Sequence, residues 1–227
     1  MSRWLGSLVA VAALGLFLCV FPARLEGATI LLTDDFNDNS LDLTQWAVVT
    51  AGVPAGAAVV EQNQRIEITG RGHLNTLQQF NPATQPENGL RIRGQWTFVS
   101  NDDFLQILTR SDGTPSGTYG ETQNGVEFYV AASGIGNNMT IQGRGGASVP
   151  GGSVNGAGAL NALAGETYLF DIRDDGQFLY FGMQQIGGTK QRQVFARSTS
   201  ALAANLVTFH NREGASRVAY LDNVVID

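Results

Sequence analysis

After the first 28 residues, hydrophobic and polar side chains alternate along the chain with a period of two. Successive side chains of a strand point to opposite faces of a sheet, so this period predicts β-strands with one face in a core and one in water. Residues 90–98 show it most clearly: Leu90, Ile92, Trp96 and Phe98 share one face, opposite Arg91, Arg93, Gln95 and Thr97. Trp96 is therefore predicted to be a core residue.

Similar alternating runs recur to the end of the chain and predict an all-β protein. The inward sets are Ile66 and Ile68; Val126, Phe128 and Val130; Met139 and Ile141; Tyr168, Phe170 and Ile172; and Val207 and Phe209. Asn63-Gln64 and Asp174-Asp175-Gly176 separate neighbouring runs, and such residues tolerate the positive φ angles of tight hairpins. About a dozen strands spaced by turns of this kind predict a two-sheet antiparallel sandwich.

One segment lacks this alternation. Residues 143–158 are rich in Gly, with Ser, Asn and Pro150, and show no apolar pattern. We interpret them as a long surface loop, which either contributes to a binding site or only connects two strands.

The N-terminus has the features of a secretory signal. Arg3 precedes an uncharged apolar run from Leu5 to Phe21, and Gly27 and Ala28 offer small residues for cleavage. This predicts a signal peptide at 1–28 and a mature β-sandwich domain at 29–227, located outside the cell or in the periplasm. An uncleaved N-terminal anchor is the alternative. Cys19, the only cysteine, lies within this run, so the mature domain would have no disulfide.

The charge balance limits the partners of the protein. The chain has 14 basic and 20 acidic residues, for a net charge of -6. An acidic surface repels the phosphates of nucleic acids and anionic membrane surfaces, so neither is expected as a partner.

The two ends of the mature region carry a recognisable pattern. Residues 33–38 read Thr-Asp-Asp-Phe-Asn-Asp and are followed by Leu41-Asp42 and Trp46, and residues 220–226 read Tyr-Leu-Asp-Asn-Val-Val-Ile. Together with the hairpin at 168–176, this resembles bacterial extracellular domains of the concanavalin A-like lectin/glucanase superfamily, which includes laminin-G-like domains. The resemblance implies a jelly roll whose first and last strands are adjacent. It also implies that a ligand binds the concave sheet or its rim loops. The same fold serves lectins, hydrolases and adhesive modules.

The sequence does not supply the acids that a glycosidase needs. Glycoside hydrolysis requires two carboxyl groups at one sugar bond. In the glucanase branch of the superfamily these acids alternate along one strand. The corresponding strand here, residues 125–131, offers only Glu127, with Tyr129 and Ala131 on the same face. We therefore predict no catalytic residues. His73 and His210 lie in separate strands without metal-ligand spacing, and each is interpreted as a surface or boundary residue.

A sugar site needs an aromatic face and planar polar groups. Glu127 and Tyr129 meet this need, and Tyr119 and Arg144 are predicted to form the rim. Acids at the two chain ends, with Asp35 and Asp222 as ligands, suggest a structural calcium site, although turn capping explains the same residues. The predicted function is a non-catalytic carbohydrate-binding or surface-associated module, whose partner is a carbohydrate or cell-surface polymer. The alternatives are a glycan hydrolase or an adhesive matrix protein.

Overall fold

The computed structural model describes residues 29–49, 51–85, 89–116, 121–136, 138–156, 158–202, 204–212 and 217–227. The predicted signal peptide and Tyr119 lie outside these ranges. Within them, no helix is long and apolar enough to cross a membrane.

Seventeen strands and two short 3-10 helices, Pro82–Thr84 and Ser133–Ile135, make up the described structure. The strands are β1 (Leu32–Asp34), β2 (Trp46–Val49), β3 (Ala58–Glu61), β4 (Ile66–Thr69), β5 (His73–Thr76), β6 (Leu90–Phe98), β7 (Phe104–Ser111), β8 (Pro115–Ser116), β9 (Glu121–Thr122), β10 (Gly125–Ala131), β11 (Met139–Arg144), β12 (Ser153–Asn155), β13 (Thr167–Asp174), β14 (Phe178–Gln185), β15 (Gln191–Arg197), β16 (Leu206–His210) and β17 (Val218–Ile226).

The strands form two large antiparallel sheets and one small hairpin. The eight-stranded sheet has the order β15-β14-β13-β6-β17-β4-β3, and β1 also pairs with β17. The seven-stranded sheet has the order β12-β11-β10-β7-β16-β5-β2, while β8 pairs only with β9. The two-sheet jelly roll and the adjacency of the first and last strands are thus confirmed.

The hydrophobic core lies between the inner faces of the two sheets. Trp96 is fully buried there, as predicted, and so are the inward sets of β10, β11, β13 and β16. Side chains that alternate with them point outward, away from the core. The alternation in the sequence therefore identifies the inner and outer faces of β6, β10, β11, β13 and β16 correctly.

The two predicted hairpins are present. Asn63 and Gln64 connect β3 to β4 with φ angles of 55° and 59°, and Asp175 and Gly176 connect β13 to β14, with φ 92° at Gly176. Asn and Gly adopt such left-handed angles at low cost, which fixes the register of the paired strands.

The prediction of a long surface loop at 143–158 is correct only for part of the segment, because two strands and two core residues lie within it. β11 continues to Arg144, β12 pairs with it from residue 153 to 155, and Ala147 and Val149 join the core. The sequence conceals this because β12 is a short edge strand of polar and half-buried residues, stabilised by backbone hydrogen bonds, and two isolated apolar residues show no periodicity.

A buried ion pair connects the two sheets at one end of the sandwich. Arg110 ends the regular part of β7 with φ 51°, and its guanidinium donates to both carboxylate oxygens of Asp174 in β13, at 3.0 and 2.5 Å. Asp174 also accepts from Thr109 Oγ1 at 2.6 Å and from the backbone N–H of Gly176 at 3.0 Å. Arg110 donates further to the carbonyl oxygen of Ser200 at 2.6 Å. Each guanidinium nitrogen of Arg110 and each carboxylate oxygen of Asp174 therefore has at least one hydrogen-bond partner.

Candidate functional site

The outer face of the seven-stranded sheet carries two rows of mostly polar side chains. Residues directly opposite each other in antiparallel strands point to the same face, so the strand register defines the rows. From β12 to β2, the Tyr129 row consists of Asn155, Thr140, Tyr129, Gln106, His210, His73 and Val49. The Glu127 row consists of Ser153, Gln142, Glu127, Leu108, Thr208, Asn75 and Ala47.

The half of this face formed by β7, β16 and β5 is buried, although it points away from the core. Gln106, His210 and His73 have no exposed surface. Thr208 Oγ1 donates to Asn75 Oδ1 at 2.7 Å, and Asn75 Nδ2 donates to the carbonyl of Gly113 at 3.0 Å. The segment that follows β7, which includes Gly113, thus packs against Asn75 on this half of the face. The side chains of Thr208 and Asn75 on the face also bond to each other.

Glu127 is the centre of a hydrogen-bond network on this face. Its carboxylate is fully buried and accepts from the side-chain amides of Gln106 and Gln142 and from Arg144 Nε, the last at 2.5 Å. A buried carboxylate is stable only when charged and polar donors surround it. Glu127 therefore lies beneath the surface and fixes the side chains of Gln142 and Arg144, which both come from the neighbouring strand β11.

The other half of the face, formed by β10, β11 and β12, is accessible. Tyr129, Gln142 and Arg144 are half-buried, and Asn155 is exposed. The Tyr129 ring lies 6.0 Å from the ring of Phe104, and Thr140 Oγ1 donates to Asn155 Oδ1 at 2.6 Å. An aromatic ring is thus flanked by amide, hydroxyl and guanidinium groups. We call Tyr129, Gln142, Arg144 and Asn155 the accessible margin.

The interpretation of the two histidines as surface or boundary residues is wrong. His73 in β5 and His210 in β16 are directly paired, their ring centroids are 4.2 Å apart, and both are fully buried. His210 Nδ1 lies 2.9 Å from the carbonyl oxygen of Gly72. Neither the register that joins them nor the loops that cover them can be read from two isolated residues 137 positions apart in sequence.

Solved structures with a similar fold include lectins and glucanases. The Ca²⁺-bound exoplasmic/lumenal domain of VIP36 superimposes with a TM-score of 0.59 at 7% identity, over 86% of this chain and 90% of that chain. Winged bean acidic lectin complexed with methyl-α-D-galactose gives 0.54 at 10% identity, over 86% and 97%. A non-specific endo-β-1,3(4)-glucanase from family GH16 gives 0.58 at 10% identity, over 88% and 95%. The chain has the concanavalin A-like jelly-roll fold.

These similarities concern the fold of the jelly roll and not its ligand. No protein-family model and no curated protein sequence matches the chain. Among the described residues of the Tyr129 row and the Glu127 row, only Glu127 has a carboxylate side chain. The side-chain chemistry of the site therefore has to be argued from this chain alone.

Acidic side chains do gather where the ends of the jelly roll meet. Asp35 is exposed and Asp222 is half-buried. Burial raises the pKa of the Asp222 carboxyl and the charge of Asp35 raises it further, against a 2.7 Å hydrogen bond from the backbone N–H of Asn223. In the described part of the chain, no group of three or more His, Cys, Asp or Glu could hold a metal ion. The calcium site at Asp35 and Asp222 stays a prediction.

Proposed function

We propose that the protein is a secreted, non-catalytic carbohydrate-binding module, and that the accessible margin on the seven-stranded sheet is its sugar site. The observation that carries this proposal is the Glu127 network, because it holds two planar polar side chains next to an accessible aromatic ring. A sugar presents an apolar C–H face and a rim of hydroxyl groups, which such a combination matches.

Each group in the margin has a distinct role in this proposal. The half-buried ring of Tyr129 stacks on the apolar face of a sugar residue, and Gln142 and Arg144 donate to its hydroxyl oxygens. Glu127 acts as a positioning residue, since its carboxylate is already occupied by three donors. Restricting these side chains before the sugar binds reduces the entropy that binding costs.

The proposed location outside the cytoplasm rests on the signal-like N-terminus together with the absence of any cysteine after Cys19. The similar domain of VIP36 is exoplasmic or lumenal and was solved with bound Ca²⁺ and Man3GlcNAc, which supports such a location. The partner is a carbohydrate or cell-surface polymer.

Replacement of Tyr129 by Ala is expected to weaken sugar binding about tenfold, because a stacking ring contributes on the order of 1 kcal/mol or more. The measurement is a glycan-array screen of the purified protein, followed by titration of the best ligand into wild type and Tyr129→Ala. Leu163→Ala, a truncation of an exposed side chain outside the two rows, is the control and should bind like wild type. If wild type binds no glycan, or if both variants bind equally well, the proposed site is wrong.

A further inference from the structure

The outer face of the eight-stranded sheet contains a groove of about 930 Å³. It runs across β6, β13, β14 and β15, on the opposite side of the sandwich from Glu127 and Tyr129. We call it the outer groove, and define it by Arg91, Asp171, Tyr180, Gly182, Gln193 and Phe195. Its side chains belong to neither the core nor the accessible margin.

An aromatic platform forms part of the groove. Tyr180 and Phe195 are directly paired across β14 and β15, with ring centroids 5.2 Å apart and an interplanar angle of 53°. Phe195 is 60% exposed. A Cβ atom at Gly182 would lie 2.3 Å from the Tyr180 hydroxyl oxygen, so the tyrosine ring lies along the sheet over the glycine. The absent side chain of Gly182 thus leaves room for this ring, and the Cζ atom of Arg173 lies 5.3 Å from the ring centroid.

Charges in the groove are largely balanced by neighbours. Arg91 donates twice to Asp171, at 2.9 Å each, and Arg173 donates to the same carboxylate at 3.0 Å. Burial works to raise the pKa of Asp171, but the hydrogen bonds from Arg91 and Arg173 outweigh it and hold that pKa below its ordinary value. Arg93 pairs with Asp227 at 2.6 Å. The guanidinium groups of Arg91 and Arg93 therefore already have carboxylate partners. The exposed Arg192 in the edge strand β15 also lines the groove and donates to the carbonyl oxygen of Gln191 at 2.8 Å.

Amide side chains supply most of the remaining polar groups of the groove. Gln95, Gln184, Gln191 and Gln193 line it, and the last three are exposed. Each amide offers both a hydrogen-bond donor and an acceptor, as hydroxyl groups require, and carries no net charge. An aromatic face flanked by uncharged amides matches a neutral sugar better than an anionic ligand, for which unpaired cations would be expected.

We propose that the outer groove is a second carbohydrate-binding site, which takes a neutral polysaccharide chain. Phe195 and Tyr180 stack on the sugar rings, and Gln184 and Gln193 bond to their hydroxyl groups. Because the two sites lie on opposite faces of the sandwich, one molecule can hold two chains at once, and binding of a polymer at both sites gains from effective concentration.

The test separates the two sites with single and double variants. Affinity electrophoresis in gels that contain a neutral β-glucan, a neutral galactomannan or an anionic polygalacturonate compares wild type, Tyr129→Ala, Phe195→Ala and the double variant. Phe178→Ala is the matched control, because Phe178 is 51% exposed on the same sheet face but does not line the groove. Thermal unfolding of each variant checks that the fold is retained.

We expect Tyr129→Ala to keep residual binding to a neutral polysaccharide. Adding Phe195→Ala to this variant should weaken the residual binding about tenfold. Adding Phe178→Ala instead should change the residual binding less than twofold. Complete loss of binding with Tyr129→Ala alone overturns the second site but supports the first. Residual binding that Phe195→Ala leaves unchanged, or that is confined to polygalacturonate, also overturns it. If Phe195→Ala alone abolishes polysaccharide binding and Tyr129→Ala leaves it unchanged, the result supports the outer groove and contradicts the sugar site at the accessible margin.

Discussion

Replacement of Asp174 by Ala should lower the free energy of unfolding by about 3–5 kcal/mol, because it leaves the buried guanidinium of Arg110 without a counter-charge. Arg110 is 2% exposed and Asp174 is fully buried. The substitution also removes the acceptor of Thr109 Oγ1 and of the backbone N–H of Gly176. Since the pair joins β7 of one sheet to β13 of the other, its loss should weaken the contact between the sheets at this end. Urea unfolding followed by tryptophan fluorescence measures the change.

Asp171→Ala is the matched control for this prediction. Asp171 lies in the same strand, three residues away, and pairs with two arginines, but all three side chains are partly exposed. Exposed ion pairs typically contribute less than about 1 kcal/mol, so this control should be nearly as stable as wild type. Equal destabilisation by Asp174→Ala and Asp171→Ala would show that the buried pair does not clamp the sheets together.

Replacement of Glu127 by Gln should weaken sugar binding at the accessible margin by about tenfold or more, while the protein remains folded. Gln has nearly the same size, but only one of its two polar atoms accepts hydrogen bonds. It therefore cannot accept from Gln106 on one side and from Gln142 and Arg144 on the other, and the counter-charge of Arg144 is lost. Both side chains then leave the geometry in which Glu127 holds them. Loss of a partner by buried donors also costs about 1–3 kcal/mol of stability. Isothermal titration with the glycan found in the array screen measures the affinity.

Glu67→Gln provides the control, because Glu67 also accepts hydrogen bonds from two amides and an arginine, those of Gln62, Asn63 and Arg65. Glu67 lies in β4 on the eight-stranded sheet, away from the accessible margin. We expect its variant to bind sugar like wild type. If Glu127→Gln binds as tightly as Glu67→Gln, the network has no part in sugar recognition.

The sequence alone predicts much of the fold, because alternation of apolar and polar residues is a local signal. It identifies the inward face of β6, β10, β11, β13 and β16, and the turn residues identify two hairpins. It also places Glu127 and Tyr129 together on an outer face. What it cannot give is which strands are neighbours, since strand order and register depend on contacts that are distant in the sequence.

The partners of Glu127 show this limit. Gln106 lies in β7, where all eight residues are buried, so no alternation distinguishes its outer face from its inner face. The alternation of residues 139–142 in the sequence predicts that Gln142 points outward, but only the pairing of β10 with β11 brings it opposite Glu127. The outer groove is hidden for the same reason: Tyr180 and Phe195 come from different strands, and their pairing creates the aromatic platform.

The most direct test of a sugar site on the seven-stranded sheet is chemical-shift mapping of the ¹⁵N-labelled protein during titration with the glycan found in the array screen. The account predicts saturable shifts at the backbone amides of Tyr129, Gln142 and Arg144 and at the side-chain amide of Gln142. It predicts that the shifts of Gln142 and Arg144 persist in Phe195→Ala and saturate only at about tenfold higher glycan concentration in Tyr129→Ala. Saturable shifts that avoid β10, β11 and β12 entirely would contradict the account, because the bound sugar would then lie elsewhere on the protein.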